Sequence, residues 1–428
     1  MNDKIKPQDQ AFWYVKREQT IPLRENLAVD VVIIGGGMAG LSAAHAAVNK
    51  GKRVVLLEHY YCGSGATGKS SGFITPNAEL SFTDYAKRFS FEDARIIWDC
   101  INSGVNDIRS AVTHYNFDCE YMPQDTLVIA NTKKAMQQLT TEYNNLTRYN
   151  YKTALYDKNN ICNSIGSSRY YGGVGYKDTF SINGYLYCQE MKKVLLSKGV
   201  QIFEETAVVA ISDHIVQSLH GSVEAEYIIV CTDRFAPQMG LLKQDVYHAQ
   251  TFLMLSEPLT EEQARRLFPR KSLLVWDTEL IYNYFRLTID NRLLLGGGCL
   301  LNTYARTPTH DSSYMFNKLT RYFAKMFPDQ SIQFSHMWPG LIGISKDIAP
   351  IIGRDKDKQH IYYVSAATGL PIAAALGRYA VEHLLDGRNE LDDYFSPYRS
   401  VPIGGIVQKI LGTPFTFALC NGLKTNIP

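Results

Sequence analysis

Three glycines near the start of the chain have the clearest chemical signature: Gly35, Gly37 and Gly40 are spaced as G-x-G-x-x-G. This spacing permits a tight turn out of a strand, close approach of a pyrophosphate to the backbone, and close packing of the following helix. The acidic Glu58 follows 18 residues after Gly40, where a carboxylate accepts hydrogen bonds from ribose hydroxyls and repels a 2′-phosphate. The pattern predicts a site for an adenine dinucleotide other than NADP, and it leaves FAD and NAD open.

The elements that must position this motif form a βαβ unit. Residues 29–34 have the composition of a buried parallel strand, Met38–Lys50 is an Ala-rich helix, and Val54–Leu57 is a second strand. The free N–H groups and positive dipole end of the helix would face the phosphates. A glycine-rich turn that binds no ligand does not need a flanking strand, helix and second strand. The presence of this βαβ unit therefore favours a cofactor site.

A second turn of small residues, Gly65–Gly72, follows the second strand and contains hydroxyls and one lysine. Such a turn can lie along a second phosphate or the edge of a flavin, which favours FAD over NAD. The candidate cofactor residues at the two turns are Gly35, Gly37, Met38, Ala39, Gly40, Glu58, His59, Ala66, Thr67, Lys69, Ser70, Ser71 and Gly72.

The bulk composition is that of an ordinary globular protein. The 428 residues are 45% hydrophobic and 20% charged, and 44 Lys+Arg against 42 Asp+Glu give a net charge of +2, so nothing favours nucleic acid as a partner. The 8 cysteines are scattered without a C-x-x-C pair, which predicts no metal site and a reducing compartment. The polar start and the lack of a long apolar run predict a cytoplasmic protein without a signal peptide or membrane span.

Rossmann-like strands occur at the beginning, middle and end of the chain, with strands of alternating pattern between them. The predicted fold is α/β, with a Rossmann-like FAD-binding domain of the glutathione-reductase type interrupted by a substrate domain that has a mixed or antiparallel sheet. The predicted division is 24–95, 190–244 and 325–400 for the FAD-binding domain, 96–189 and 245–324 for the substrate domain, and 401–428 for a C-terminal tail.

The chain resembles the D-amino-acid-oxidase-like family of FAD-dependent oxidoreductases, and within it the gamma-glutamylputrescine oxidase-like amine oxidases. Five segments carry the resemblance: Phe12–Tyr14, the glycine turn with Glu58, Gly65–Gly72, Asp277–Gly297, and Trp338–Gly353 with Ala366–Gly369.

The resemblance implies a protein that oxidises the C–N bond of an amine or N-substituted amino acid to an imine, with electrons passed to O₂ or another acceptor. It implies non-covalent FAD, because the cysteine that links flavin in sarcosine-type members is matched by Gly343. The further cofactor contacts that it implies are Val208, Cys231, Thr232, Gly340, Gly369, Leu370 and Pro371.

Departures from the family pattern bear on the substrate. Ile342 occupies the position of an arginine that pairs with the substrate carboxylate, and Pro371 stands near the position of a lysine in sarcosine-type members. Both substitutions argue against a plain α-amino acid. Pro371 also has no N–H to donate to a flavin.

Three side chains are candidate catalytic residues. Tyr284 and Arg286 share one face of a strand by period-two spacing, and Lys346 follows the segment predicted to cover the flavin, where a cation could stabilise the reduced ring. Two alternatives remain open: a flavoprotein of this fold that acts on a 2-hydroxy acid, which needs a His or Arg near the flavin, or a non-catalytic binding or assembly protein. A monomer or homodimer with a small amine-like substrate is expected.

Overall fold

The computed structural model describes residues 11–16, 18–309, 312–328, 331–401 and 403–422. Residues 402 and 423–428 of the predicted tail lie outside the described residues. The strands in the described ranges are β1 (Asn26–Ile34), β2 (Val54–Leu57), β3 (Phe73–Ile74), β4 (Met122–Pro123), β5 (Thr126–Ile129), β6 (Thr153–Tyr156), β7 (Gly173–Tyr176), β8 (Phe180–Ser181), β9 (Gln201–Phe203), β10 (Val208–Ser212), β11 (Ile215–Ser218), β12 (Ser222–Val230), β13 (Tyr247–Pro258), β14 (Leu274–Asp277), β15 (Tyr284–Leu287), β16 (Arg292–Gly297), β17 (Phe334–Ile344), β18 (Ile351–Arg354) and β19 (Ile361–Ser365).

The helices in the same ranges are α1 (Met38–Asn49), α2 (Ala66–Lys69), α3 (Phe82–Arg88), α4 (Phe91–His114), α5 (Lys133–Arg148), α6 (Lys158–Ile161), α7 (Gly184–Ser197), α8 (Glu261–Leu267), α9 (Leu300–Thr303), α10 (Ser313–Met326), α11 (Leu370–Asp386), α12 (Asp392–Phe395), α13 (Gly405–Leu411) and α14 (Thr413–Gly422), with a 3₁₀ helix at Asp233–Met239. No helix in these ranges is long and apolar enough to cross a membrane.

The first sheet carries the predicted βαβ unit. Its strand order is β10-β11-β12-β1-β2-β9, and β19 pairs with the second half of β12 and with β18. Strand β1 runs parallel to both β2 and β12, so that Ile34 is level with Leu57 and with Val230. The residues that follow these three strand ends therefore meet at one edge of the sheet, where ligands bind in open α/β folds.

The second sheet has the order β17-β13-β16-β15-β14-β5-β7-β6. All its neighbours are antiparallel except β14 and β5, which are parallel. The predicted α/β fold with a Rossmann-like domain and a mixed sheet is thus confirmed. A third sheet has three strands in the order β3-β8-β4. Its strand β3 follows the Gly65–Gly72 turn directly in the chain.

Two elements bear on the predicted division of the chain, which stays a prediction. Strand β17 pairs along its length with β13 in the second sheet, although residues from 325 onward were assigned to the cofactor domain. Helix α4 packs against α11, where Gly104 approaches the Pro371 carbonyl, and its Trp98 and Ile101 belong to a core shared by residues of both sheets, although residues from 96 onward were assigned to the substrate domain. We propose that the first boundary lies after α4 and the last one after β17.

Helices α1, α4 and α11 pack closely against one another at two glycines. A Cβ at Gly377 of α11 would lie 2.1 Å from the Ala39 carbonyl oxygen of α1, and a Cβ at Gly104 of α4 would lie 1.9 Å from the Pro371 carbonyl oxygen. Only glycine permits these approaches, because backbone atoms would otherwise have to move apart. The start of α11 is thereby held against α4, and the body of α11 against the start of α1.

Candidate functional site

The glycine turn has the geometry that its motif predicts. Gly35 has φ +111° and donates its N–H to the Leu57 carbonyl at 2.8 Å. A Cβ at Gly40 would lie 1.9 Å from the Gly35 carbonyl oxygen, so the third glycine is required for the helix to begin here. Gly37 is the N-cap of α1 and offers no side-chain cap. The turn therefore presents backbone and a helix N-terminus to a ligand.

Glu58 lies beside this turn at the end of β2. Its carboxylate accepts hydrogen bonds from the Gly36 N–H at 2.7 Å and the Tyr60 N–H at 2.9 Å. Burial raises the pKa of Glu58, while these N–H donors oppose the shift. The Thr206 N–H donates to the Glu58 carbonyl at 2.8 Å, which brings the start of β10, and hence Val208, to the same side. The neighbouring predicted residue, His59, is exposed.

The end of β12 forms the third side of the glycine turn. The Cys231 N–H donates to the Ile34 carbonyl at 2.8 Å, and a Cβ at Gly35 would lie 2.5 Å from the Cys231 carbonyl oxygen. The Thr232 hydroxyl oxygen is buried and has no hydrogen-bond partner among the described residues. Since buried polar atoms are nearly always paired, an unpaired hydroxyl at this turn fits a site that a polar ligand completes.

Asp233, which was not among the predicted site residues, joins three segments around the site. Its carboxylate accepts the Gly343 N–H of β17 at 2.6 Å and the Ala366 N–H before α11 at 3.0 Å. A Cβ at Gly343 would lie 2.3 Å from a carboxylate oxygen of Asp233, which explains the glycine there. Burial raises the pKa of Asp233, and the backbone donors oppose that shift. The sequence signal was an acid directly after a buried strand.

The Gly65–Gly72 turn is fixed from both sides. The Thr67 hydroxyl accepts the Met38 N–H at 3.1 Å, which connects the two predicted turns. The indole N–H groups of Trp13 and Trp338 donate to the carbonyls of Gly68 at 2.7 Å and Lys69 at 3.1 Å. The two indoles meet edge to face at 4.8 Å. The Phe12–Tyr14 and Trp338–Gly353 segments thus hold the backbone of the turn.

Arg286 holds the same turn from the second sheet. Its Nε donates to the Ser71 carbonyl at 2.7 Å and its guanidinium also donates to the Leu287 carbonyl at 3.1 Å. Only 4% of the residue is exposed, and burial lowers the pKa of Arg286 to about 10. The side chain is not part of the cavity wall. Arg286 therefore positions the turn, and its catalytic role stays a prediction.

Lys346 is also placed away from the predicted position. Its ammonium donates to the Gln408 side-chain oxygen of α13 at 3.0 Å and lies 3.7 Å from an Asp245 carboxylate oxygen. The residue is 2% exposed and does not line the cavity. The structure corrects the prediction of a cation at the flavin face: Lys346 fixes the C-terminal tail instead.

A cavity lies between the second turn, the second sheet and the start of α11. Counted out to open solvent at its mouth, the space between its walls is about 1450 Å³. The predicted residues in its wall are Ala66, Lys69, Ser70, Ser71, Gly72, Tyr284, Gly340, Gly369, Leu370 and Pro371. Sequence reasoning missed others in the wall, among them Phe73, Glu79, Trp276, Tyr282, Tyr304 and Asn421.

The character of this wall is apolar and aromatic. Among the described residues that form it, the charged side chains are those of Lys69 and Glu79. Burial raises the pKa of Tyr284 to about 12, so its phenol stays neutral. Helix α11, 17 residues long, begins in the wall at Leu370, and its positive dipole end faces the cavity. Negative charge on a ring bound here would be stabilised by that helix.

The two turns and the cavity together fit FAD. The glycine turn with Glu58 suits an adenosine pyrophosphate, and the Gly65–Gly72 turn leads from it to the cavity, where the flavin ring would lie.

A separate group, Asp213, His214 and His360, brings possible metal-ligand atoms within 4.8 Å of one another. None of these three residues lines the cavity, and both imidazoles face backbone carbonyls.

Comparisons with known proteins bear on the family and the fold. The gamma-glutamylputrescine oxidoreductase of Escherichia coli (strain K12) is 28% identical over 404 residues, which cover 92% of each chain. The glycine oxidase of Geobacillus kaustophilus superposes with a TM-score of 0.73 at 16% identity, covering 88% of this chain and 100% of that one. The L-proline dehydrogenase of P. horikoshii gives a TM-score of 0.74 at 17% identity, covering 88% and 98%.

These superpositions establish the fold, and a family model establishes the family. The model described as FAD dependent oxidoreductase matches residues 30–383, which include both turns, the cavity strands and most of α11. The resemblance seen in the sequence is therefore confirmed, and the chain belongs to the D-amino-acid-oxidase family of FAD-dependent oxidoreductases.

Proposed function

We propose that this flavoprotein oxidises the C–N bond of an amine or an N-substituted amino acid to an imine, which water converts to an aldehyde or keto product. The observation that carries the proposal is the cavity beside the flavin-binding turns, with its aromatic and apolar wall. The similarity to an enzyme named for gamma-glutamylputrescine supports an amine donor. Electrons pass to O₂ or another acceptor.

The residues that would hold FAD are those of the two turns and the start of α11. When bound, FAD supplies the acceptor for the hydride that leaves the substrate carbon. The described residues in the cavity wall include no cysteine, and Gly343 occupies the family's linking position while its N–H is bonded to Asp233. These features support non-covalent binding of the cofactor.

The cavity wall favours the reactive form of an amine. Only the neutral amine has the nitrogen lone pair that expels hydride, and an apolar environment lowers the pKa of an ammonium group. The rings of Phe73, Trp276 and Tyr284 supply that environment and limit the access of water. No dedicated base is then required.

A 2-hydroxy acid as substrate finds little support in the same wall. Its oxidation needs a histidine or arginine near the flavin, and the described lining residues include neither. Ile342, at the family's carboxylate-binding position, does line the cavity. The cavity retains both the start of α11 and the aromatic wall, which argues against a non-catalytic role.

We further propose a cytoplasmic location and a monomeric or homodimeric state. All eight cysteines are free of disulfides, which supports a reducing compartment. A small-molecule substrate without a nucleic-acid partner fits the cavity and the near-neutral net charge.

The test uses the purified protein. We expect a yellow protein whose visible absorption bleaches under anaerobic conditions with amines but not with hydroxy acids. Turnover is then followed by peroxide formation in air and by reduction of an artificial electron acceptor. Bleaching by hydroxy acids alone would overturn the C–N assignment, and a colourless protein that rejects added FAD would overturn any flavoenzyme function.

A further inference from the structure

Four aromatic rings in the cavity wall form a closed cycle of contacts. The centroid distances are 5.8 Å for Phe73–Trp276, 6.1 Å for Trp276–Tyr282, 5.8 Å for Tyr282–Tyr284 and 6.1 Å for Phe73–Tyr284. The four residues come from β3, β14, the loop that follows β14, and β15, and all four line the cavity. We call this set the aromatic quartet.

The carboxylate of Glu79 lies directly beside the quartet. It accepts the Tyr282 hydroxyl at 2.7 Å, and it lines the cavity itself. Burial, followed by the negative charge of Glu79, raises the pKa of Tyr282 well above its usual value. The same charge contributes to the raised pKa of Tyr304 across the cavity wall, after burial. Glu79 thus acts as a negative centre among neutral phenols.

The position of Glu79 is built into the fold. The preceding segment is fixed by a buried hydrogen bond from the Thr75 hydroxyl to the Asn77 side chain at 2.9 Å. The following helix, α3, begins with a capping box in which Ser81 and Asp84 bond reciprocally. The carboxylate is therefore held between two ordered turns, as a recognition group requires.

Such a wall recognises a cation. Aromatic faces attract ammonium groups, and a carboxylate forms charge-assisted hydrogen bonds with them. A substrate carboxylate would instead meet the negative charge of Glu79. The lining cation, Lys69, lies on the α2 turn, on the side assigned to the cofactor.

The reacting nitrogen cannot be the group that Glu79 binds, because contact with a carboxylate would keep that nitrogen protonated and deny it the lone pair that oxidation needs. We infer that Glu79 and the aromatic quartet bind a second, cationic nitrogen of the substrate, and that the substrate class is diamines. This inference rests on the proposed C–N oxidation and assigns Glu79 as the residue that determines specificity.

Two substrates that differ only at the far end test the inference on the unmodified holoenzyme. Diaminobutane and aminobutanol share the reacting amine, but one ends in an ammonium and the other in a hydroxyl. We expect kcat/KM for flavin reduction to be at least about 30-fold higher with the diamine, the effect typical of a buried charge pair. Equal rates would overturn the inference while leaving the amine oxidation intact. Failure of every amine to reduce the flavin would overturn the proposed function instead.

Variants then assign the effect to named residues. Glu79→Gln should lower the diamine-to-aminobutanol ratio of kcat/KM to near one, and Trp276→Leu should lower it by about 3- to 30-fold. Glu261→Gln, on the exposed surface of α8, is the matched control and should leave the ratio unchanged. An unchanged ratio in Glu79→Gln would overturn the inference.

Binding without turnover provides an independent readout. Bis(trimethylammonio)butane carries two fixed positive charges and no nitrogen lone pair, so it can occupy the site but cannot be oxidised. Calorimetric titration of the holoprotein should show a dissociation constant at least about 30-fold higher for Glu79→Gln than for the wild type. Equal affinities, with FAD retained in both proteins, would overturn the inference even if no amine is turned over.

Discussion

Replacement of Arg286 by methionine separates two roles for this side chain. If Arg286 positions the Gly65–Gly72 turn, as its bond to the Ser71 carbonyl at 2.7 Å indicates, the variant should lose stability and affinity for FAD. If it contacts the substrate, the variant should keep both and show a higher KM. Methionine keeps an unbranched apolar stem and adds neither a charge nor a hydrogen-bond donor.

The size of the effect follows from the contacts. Hydrogen bonds from a charged donor contribute about 1.5–3 kcal/mol each, and Arg286 makes two to backbone carbonyls. The cost of burying the guanidinium, visible in the lowering of its pKa to about 10, offsets part of this. We expect the free energy of unfolding to fall by about 2–4 kcal/mol. In a chain of 428 residues that corresponds to a melting temperature lower by about 2–4 °C.

Three measurements check this prediction: thermal unfolding, the dissociation constant of FAD from flavin fluorescence, and KM for an amine at saturating FAD. The FAD dissociation constant should rise about tenfold, the effect of about 1.4 kcal/mol lost at the turn, with KM nearly unchanged. Arg286→Lys should be intermediate, because one ammonium cannot reach both carbonyls. Arg265→Met, on the exposed surface of α8, is the control. Wild-type stability with a KM raised tenfold would refute the positioning role.

Three further substitutions test other contacts. Gly40→Ala should abolish FAD binding, measured by the absorbance ratio of flavin to protein, because its Cβ would lie 1.9 Å from a backbone oxygen; Gly422→Ala, with open space around its Cβ, should not. Trp338→Phe removes the indole donor to the α2 turn and should weaken FAD binding about fivefold, the loss of about 1 kcal/mol. Burial raises the pKa of Asp347, but the Arg399 guanidinium outweighs it and holds that pKa below its usual value. Asp347→Asn should therefore lower the free energy of unfolding by about 3–5 kcal/mol at neutral pH, and the difference from wild type should disappear in acid unfolding as the pH falls below about 4.

The glycine turn could be predicted because its determinants are local. The backbone at Gly35 and the contact between Gly40 and the Gly35 carbonyl lie within one short stretch, and strand composition fixes the flanking elements. Strand β2 has the predicted ends. Period-two spacing also predicted that Tyr284 and Arg286 share one face of β15; in the structure Arg286 bonds to Ser71 and Tyr284 contacts the neighbouring Phe73.

The substrate side of the cavity could not be predicted because it is assembled from distant segments. Glu79, Trp276 and Tyr282 have no motif in common, and they meet only when β3 and β14 come together in the folded chain. Period-two spacing identifies a face but not which neighbour each side chain reaches. The prediction for Lys346 failed for a similar reason, since the position of Gln408 depends on how the tail docks.

The bonding partners of Arg286 and Lys346 explain why the cavity wall contains neither of these two cations. Arg286 and Lys346 are both buried close to the site, but their charges are directed to backbone carbonyls of the turn and to the C-terminal tail. Neither side chain is in the described cavity wall, whereas Ile342 is. What the wall retains is Glu79 beside four aromatic rings. In this chain the two buried cations near the site bond to the protein itself, and we propose that the Glu79 carboxylate beside the rings binds the positively charged end of a substrate.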